Sequence, residues 1–204
     1  MYHAFLLMFS FYGSLALAIE EPPYTVESNT DTYEIRKYEK VLVAETLVQE
    51  GFEDAGNAAF RILADFIFGN NKSQTKIAMT APVTQQPVSE KISMTAPVTQ
   101  TAQKGGYLVQ FVMPKEFTTE TLPMPIDQRI TIRELAARRV AVHRYSGSWS
   151  EDNYKEELDV FRKALTKDNI NVVGEPTLSR FNSPFSLWFL RRNEIWFEIA
   201  PMQE

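Results

Sequence analysis

Beyond Met1–Ala18 the chain carries one imidazole, His143, and among its 204 residues it has no cysteine. One histidine excludes a multi-histidine metal site. The missing thiol excludes a Cys nucleophile, a thiolate metal site, a thiolate haem ligand and a lipid-modified N-terminal Cys. A lone imidazole retains two readings: axial ligand to a haem iron, or an ordinary strand residue. Alternation along Arg139–Tyr145 puts His143 on the face of Ala141 and Tyr145, opposite Val140 and Val142. The neighbouring Ser146-Gly147-Ser148 reads as a turn, and no G-x-S-x-G or Gly-rich phosphate loop exists. Glu156 and Glu157 fall on the solvent face of a helix, so no catalytic carboxylate pair stands out. No assembled catalytic site can be picked out from these residues, although Ser-His-Asp catalysis is formally possible.

Two stretches carry binding chemistry. KIAMTAPVTQ at Lys76–Gln85 returns as KISMTAPVTQ at Lys91–Gln100, differing only at Ala78 and Ser93. Each copy reads as a strand that bends or ends at a sheet edge, because Pro82 and Pro97 remove a ladder donor. Met79 and Met94, soft and flexible, are then placed to line an apolar surface, with a plain edge hairpin as the alternative. Near the C-terminus Phe181, Phe185, Trp188, Phe189, Trp196 and Phe197 cluster around Arg191 and Arg192. The segment Ser183–Leu190 is too apolar for an ordinary loop. With the arginines it could hold a flat hydrophobic acid by stacking and charge. The arginines could equally pair with internal acids such as Glu194 or Glu198.

The elements that must position these residues follow from periodicity. Strands are expected at Thr32–Tyr38, Val41–Val48, Tyr107–Met113, Arg129–Leu135, Arg139–Tyr145, Val172–Phe181 (broken by Pro176) and Glu194–Ala200. Helices are expected at Asp54–Phe68, stopped by Gly69-Asn70-Asn71, and from Ser150 or Asp152 to Lys167. A weak repeat matches Val41 and Val43 to Val140 and Val142, and Phe60-Arg61 to Phe161-Arg162. Two strand–helix–strand–strand units with joined sheets predict an α+β class.

A net charge of −5 argues against a nucleic-acid binder, and the 44% hydrophobic share is that of a folded domain. Met1–Ala18 has no Lys, Arg, Asp or Glu, and its apolar run ends in Ala16-Leu17-Ala18. It reads as a signal peptide cleaved after Ala18, which implies a periplasmic or secreted protein. An uncleaved anchor is the alternative, although the run is shorter than the roughly 20 residues a spanning helix needs. Residues 19–31 read as a linker, 32–200 as one domain and 201–204 as a tail.

The doubled I-x-M-T-A-P-V, Phe111-Val112-Met113-Pro114, Ser146-Gly147 after an alternating strand, and the closing F-N-S-P…F-L-R-R-N-E-I-W together resemble the SOUL haem-binding protein family, from about Thr32 to Ala200. The resemblance implies a pseudo-twofold α+β domain. Its βαββ-like halves form a distorted antiparallel barrel or sheet flanked by two helices, similar to GyrI-like small-molecule-binding domains. It implies reversible, non-catalytic carriage or buffering of haem or another tetrapyrrole in an apolar groove near the first helix. Carried onto this chain, Phe60, Leu63, Ala64 and Ile67 line the groove, and Phe185, Trp188 and Phe189 lie opposite. Arg61, Arg191 and Arg192 are the candidates for propionates, and His143, Met79 and Met94 for iron. An iron-ligating histidine is not general in the family, and the repeat counterpart of His143 is Ala44. The implied partner is a small-molecule tetrapyrrole, with no nucleic acid and no stable membrane span after cleavage. Another amphipathic ligand (a lipid or a xenobiotic), a tetrapyrrole-modifying enzyme and a peptide-binding groove are the competing functions.

Overall fold

The computed structural model describes residues 19–74, 89–183 and 185–200. Residues 1–18, the first MTAPV copy with Met79, Pro184 and the last four residues lie outside the described residues. The elements are β1 (Tyr24–Asn29), β2 (Glu34–Tyr38), β3 (Val41–Val48), α1 (Phe52–Ile67), β4 (Asn71–Lys72), β5 (Val98–Gln103) and β6 (Gly106–Val112). They continue with β7 (Met124–Pro125), β8 (Thr131–Leu135), β9 (Arg138–Tyr145), α2 (Glu151–Lys167), β10 (Val172–Arg180), a short 3-10 turn at Trp188–Leu190 and β11 (Asn193–Ile199). Ser150 caps α2 by accepting from the Asn153 amide, and Glu151 and Asp152 complement the positive end of its dipole. Among the described residues no helix is long and apolar enough to cross a membrane.

Nine strands form one sheet in the order β1-β2-β9-β11-β10-β5-β6-β3-β8, antiparallel at every pairing. The order is symmetric about the β10–β5 junction: β3-β6-β5 on one side answers β9-β11-β10 on the other. The Thr99↔Ser179 pair lies at that junction. The two halves exchange their outer strands. β2, which precedes β3 in the chain, pairs with β9, and β8, which precedes β9, pairs with β3. Each half is therefore completed by the other.

This connectivity forces the sheet to roll. β8 and β9 lie six positions apart, about 29 Å in a flat sheet. Only Ala136 and Ala137 join them, and three peptide steps span at most about 11 Å. The sheet curls until β8 approaches β9, but among the described residues no strand pairs with the outer edge of β1 or β8, and no barrel closes. The α+β class with two helices thus holds, while of the expected barrel or sheet it is the open sheet that forms. Both helices lie on the outer face. Leu63, Phe66 and Ile67 of α1 pack with Leu42, Ala44, Val109 and Phe111, and Phe161 and Leu165 of α2 pack with Ala141, Leu178, Ile195 and Phe197. The inner face carries a smaller cluster of Tyr38, Val140, Val142 and Trp196.

Two stretches differ from expectation. Residues 24–29, within the expected linker, form β1 and pair with β2. The second MTAPV copy is not an edge strand: Lys91–Pro97 runs outside the ladders, apart from a bridge between Thr95 and Glu20. The strand starts at Val98, at the sheet's centre between β10 and β6. Pro97 is tolerated there because it precedes the first ladder bond.

Candidate functional site

His143 lies under α2, only 7% exposed, with its ring 5.5 Å from Phe161 and nearly parallel to it. Nδ1 donates to the Thr32 carbonyl oxygen at 2.7 Å, and Nε2 contacts the Glu157 carboxylate at 2.8 Å. Both ring nitrogens are thus engaged by groups within the protein. In this arrangement His143 pins α2 and the β1–β2 turn to the sheet. Among the described residues no group of three or more His, Cys, Asp or Glu is placed to hold a metal ion.

The groove residues expected on α1 separate. Leu63, Ala64 and Ile67 are buried at 0, 7 and 1% exposure. The rolled sheet takes the centre of the helix's apolar band and leaves only its margin. Phe60 is half-buried against Phe111, with ring centroids 5.6 Å apart, and Arg61 is exposed. Met94 is exposed.

The C-terminal loop is the reverse case. Five of the six residues Phe185–Leu190 are large and apolar, and all five are more than half exposed, from Phe189 at 53% to Phe185 at 96%. The loop is shaped by its backbone: Gly147 N–H donates to the Trp188 carbonyl at 3.2 Å, and Leu190 N–H to that of Leu187 at 2.9 Å. Trp188 and Phe189 meet edge to face at 5.6 Å. Arg191 donates from Nε to the Ser186 carbonyl at 3.0 Å and stacks 4.1 Å from the centre of the Trp149 ring. Arg180 lies 4.9 Å from the same ring, and Trp149 Nε1 donates to Asn193 Oδ1 at 2.8 Å.

Arg192 follows the alternative of internal pairing. It bridges Glu21 at 2.9 Å and Glu194 at 2.8 Å, and covers Phe181 at 3.7 Å. Glu194, fully buried on the inner face, also accepts from Arg36 Nη1 at 3.0 Å and Trp196 Nε1 at 2.7 Å. The network ties the chain's first described residues to its last strand.

The inner face also holds a cavity of about 230 Å³. Thr99, Thr101 and Thr177 line it at the junction of the halves, with Gln110, Arg133, Arg138 and Trp196 around them. Burial holds the Arg138 guanidinium below its usual pKa, outweighing the Glu198 carboxylate. Arg133 is paired with Glu45 at 2.8 Å. The residues that sequence reasoning missed are Trp149, Arg180 and Gly56. Their only signal was a glycine inside an otherwise apolar helix, where it costs about 1 kcal/mol against alanine.

Comparison with known proteins agrees with this architecture. A family model described as SOUL heme-binding protein matches residues 19–198. Heme-binding protein 2 of Mus musculus is 27% identical over 193 residues, covering 90% of this chain and 88% of the relative. Heme-binding protein 2 of Homo sapiens is 28% identical over 190 residues, covering 89% and 86%. Among solved structures, the C-terminal domain of EcmrR superposes with a TM-score of 0.55 at 10% identity, covering 87% of this chain and 98% of that one. A hydrolase from Listeria innocua gives 0.50 at 8% identity, covering 85% and 94%. Likeness at such low identity concerns the fold alone.

Proposed function

This chain belongs to the SOUL heme-binding protein family, and on that premise we propose that it binds haem or a related tetrapyrrole reversibly, as a carrier or buffer and not a catalyst, with the macrocycle seated on the apolar loop Phe185–Leu190. The observation that carries the seat is the exposure of five large apolar side chains in six consecutive positions. A contiguous exposed apolar surface marks a site waiting for a ligand or partner. A porphyrin offers the flat apolar face that Trp188 and Phe189 can cover. Phe60 and Arg61 remain within the proposed site as its margin on α1.

The other two seats fit less well. The inner cavity, at about 230 Å³, lies below the roughly 300–1,000 Å³ of small-molecule pockets, and its walls are largely polar. His143 has both nitrogens engaged within the protein, so on this reading shape and charge hold the pigment without that histidine. We also propose export, from the leader-like Met1–Ala18; the mature N-terminus, read by Edman sequencing, should be Ile19.

The test of the binding reading is a titration of residues 19–204 with haem followed in the Soret region. A saturable band at micromolar pigment, weakened in a Phe185→Ser/Trp188→Ser variant, supports it. An unrelated apolar dye that binds more tightly than either haem or metal-free porphyrin overturns it in favour of a general amphipath binder.

A further inference from the structure

Among the described residues, no carboxylate pairs with the buried Arg180. It is 7% exposed, its Nε has no hydrogen-bond partner there, and its Nη2 donates to Gln100 Oε1 at 3.2 Å. The other deeply placed arginines are answered. Arg36 meets Glu34 and Glu194, and Arg192 meets Glu21 and Glu194. A buried, unpaired guanidinium costs stability, and it is kept below its usual pKa, at about 10, chiefly by burial. Space for it is also specific: a Cβ at Gly56 of α1 would collide with the guanidinium. A helix glycine and an unpaired buried cation are two stability costs at one point, the pattern of a site kept for a ligand.

The location fits. Arg180 and Arg191 both stack on Trp149, and Arg191 is bonded to the backbone of the exposed loop through Ser186. The positive end of this stack therefore adjoins the apolar platform. A guanidinium presents parallel N–H groups that match a carboxylate, and the unused Nε is one of them.

We infer that Arg180 receives a carboxylate of the ligand whose apolar face lies on Phe185–Leu190, so that the site selects a flat apolar acid over its ester. The inference rests on the tetrapyrrole reading given above and adds the group that reads the acid arm. No covalent step is involved. Arg180 is a specificity residue, and Trp149 positions it.

The experiment compares metal-free mesoporphyrin with its dimethyl ester on residues 19–204, followed by porphyrin fluorescence. Wild type should prefer the acid by at least about tenfold, as one charge-assisted contact requires. Arg180→Met should erase the preference while leaving ester binding unchanged, and Arg180→Lys should restore part of it. Because an unpaired buried charge is removed, Arg180→Met should not lower Tm. A preserved acid preference in Arg180→Met overturns the inference, as does a lowered Tm with both ligands lost in proportion, which marks a structural arginine. If wild type binds neither porphyrin, the tetrapyrrole reading falls by itself. The carboxylate seat is then decided by the Arg180 Nε–H resonance on addition of propionate: a saturable shift in the millimolar range supports it, and no shift overturns it.

Discussion

Replacing His143 with alanine separates its two sequence readings most sharply. The substitution leaves the Thr32 carbonyl and the Glu157 carboxylate, at 2.7 and 2.8 Å, without their donor. It also opens space beside Phe161, whose ring lies 5.5 Å away. The lost contact to Thr32 is worth about 1 kcal/mol. The Glu157 side chain is 30% exposed and regains water, so its share is discounted to about 1 kcal/mol. Lost ring packing adds about 1 kcal/mol more. The sum, about 3 kcal/mol, lowers Tm by roughly 6–12 °C in a chain of this size. Differential scanning calorimetry reads the loss, and a haem titration on the same preparation reads the Soret band. The expected result is a lower Tm with an unchanged Soret position. A Tm within about 2 °C of wild type together with a displaced band would refute the reasoning and return His143 to the iron.

Three other predictions follow from the same geometry. Phe185→Ser/Trp188→Ser removes side chains that are 96 and 61% exposed, so apo stability is unchanged in calorimetry. Covering about half of that apolar surface is worth about 2 kcal/mol, so haem Kd should rise roughly 30-fold in absorption titrations. Glu194→Gln leaves Arg36 and Arg192 short of their shared buried carboxylate; a loss of about 3–5 kcal/mol should appear in urea unfolding, whereas an exposed pair such as Lys40–Glu134 should cost under about 1 kcal/mol. Burial raises Tyr33, with help from Asp168, and Tyr154 to about 12, and lifts Tyr38 and Tyr145 further. These phenols stay neutral in the fold where the unfolded chain ionises, so their stabilisation is complete below pH about 10 and is lost as pH rises through about 12. Ultraviolet titration of tyrosinate should show four late-ionising phenols coupled to unfolding, and ordinary ionisation of all six in residues 19–204 would contradict this.

The fold was written plainly in local pattern. Val41–Val48 opens on an apolar run and forms β3 with those bounds, and the weak repeat at Val41/Val140 marks the two halves that the sheet order displays. Of the two cap candidates Ser150 and Asp152, Ser150 caps α2. What periodicity could not convey was which partner takes an apolar band. Leu63, Ala64 and Ile67 satisfy a groove and a core equally in sequence, and the curl of the sheet, set by the two-residue Ala136-Ala137 link, gives them to the core. Residues 24–29 looked like linker because β1 is almost wholly exposed and carries little apolar alternation; its strand is made by pairing with β2. The arginines show a similar limit. Pairing of Arg192 with the nearby Glu194 is one of its two readings in sequence, but its second partner Glu21, and the lack of an acid answering Arg180 among the described residues, show only in the fold. The exposed loop was visible from composition alone, because SPFSLWFL has too many apolar residues for a turn that must also cover backbone.

The most direct test of the central claim is a paired titration of residues 19–204 with haem and with metal-free protoporphyrin, each repeated on Phe185→Ser/Trp188→Ser. The account predicts that both pigments bind wild type with similar affinity and that the variant weakens both together. Binding of haem alone, undiminished by the loop changes, would show that iron ligation elsewhere holds the pigment and would contradict the account.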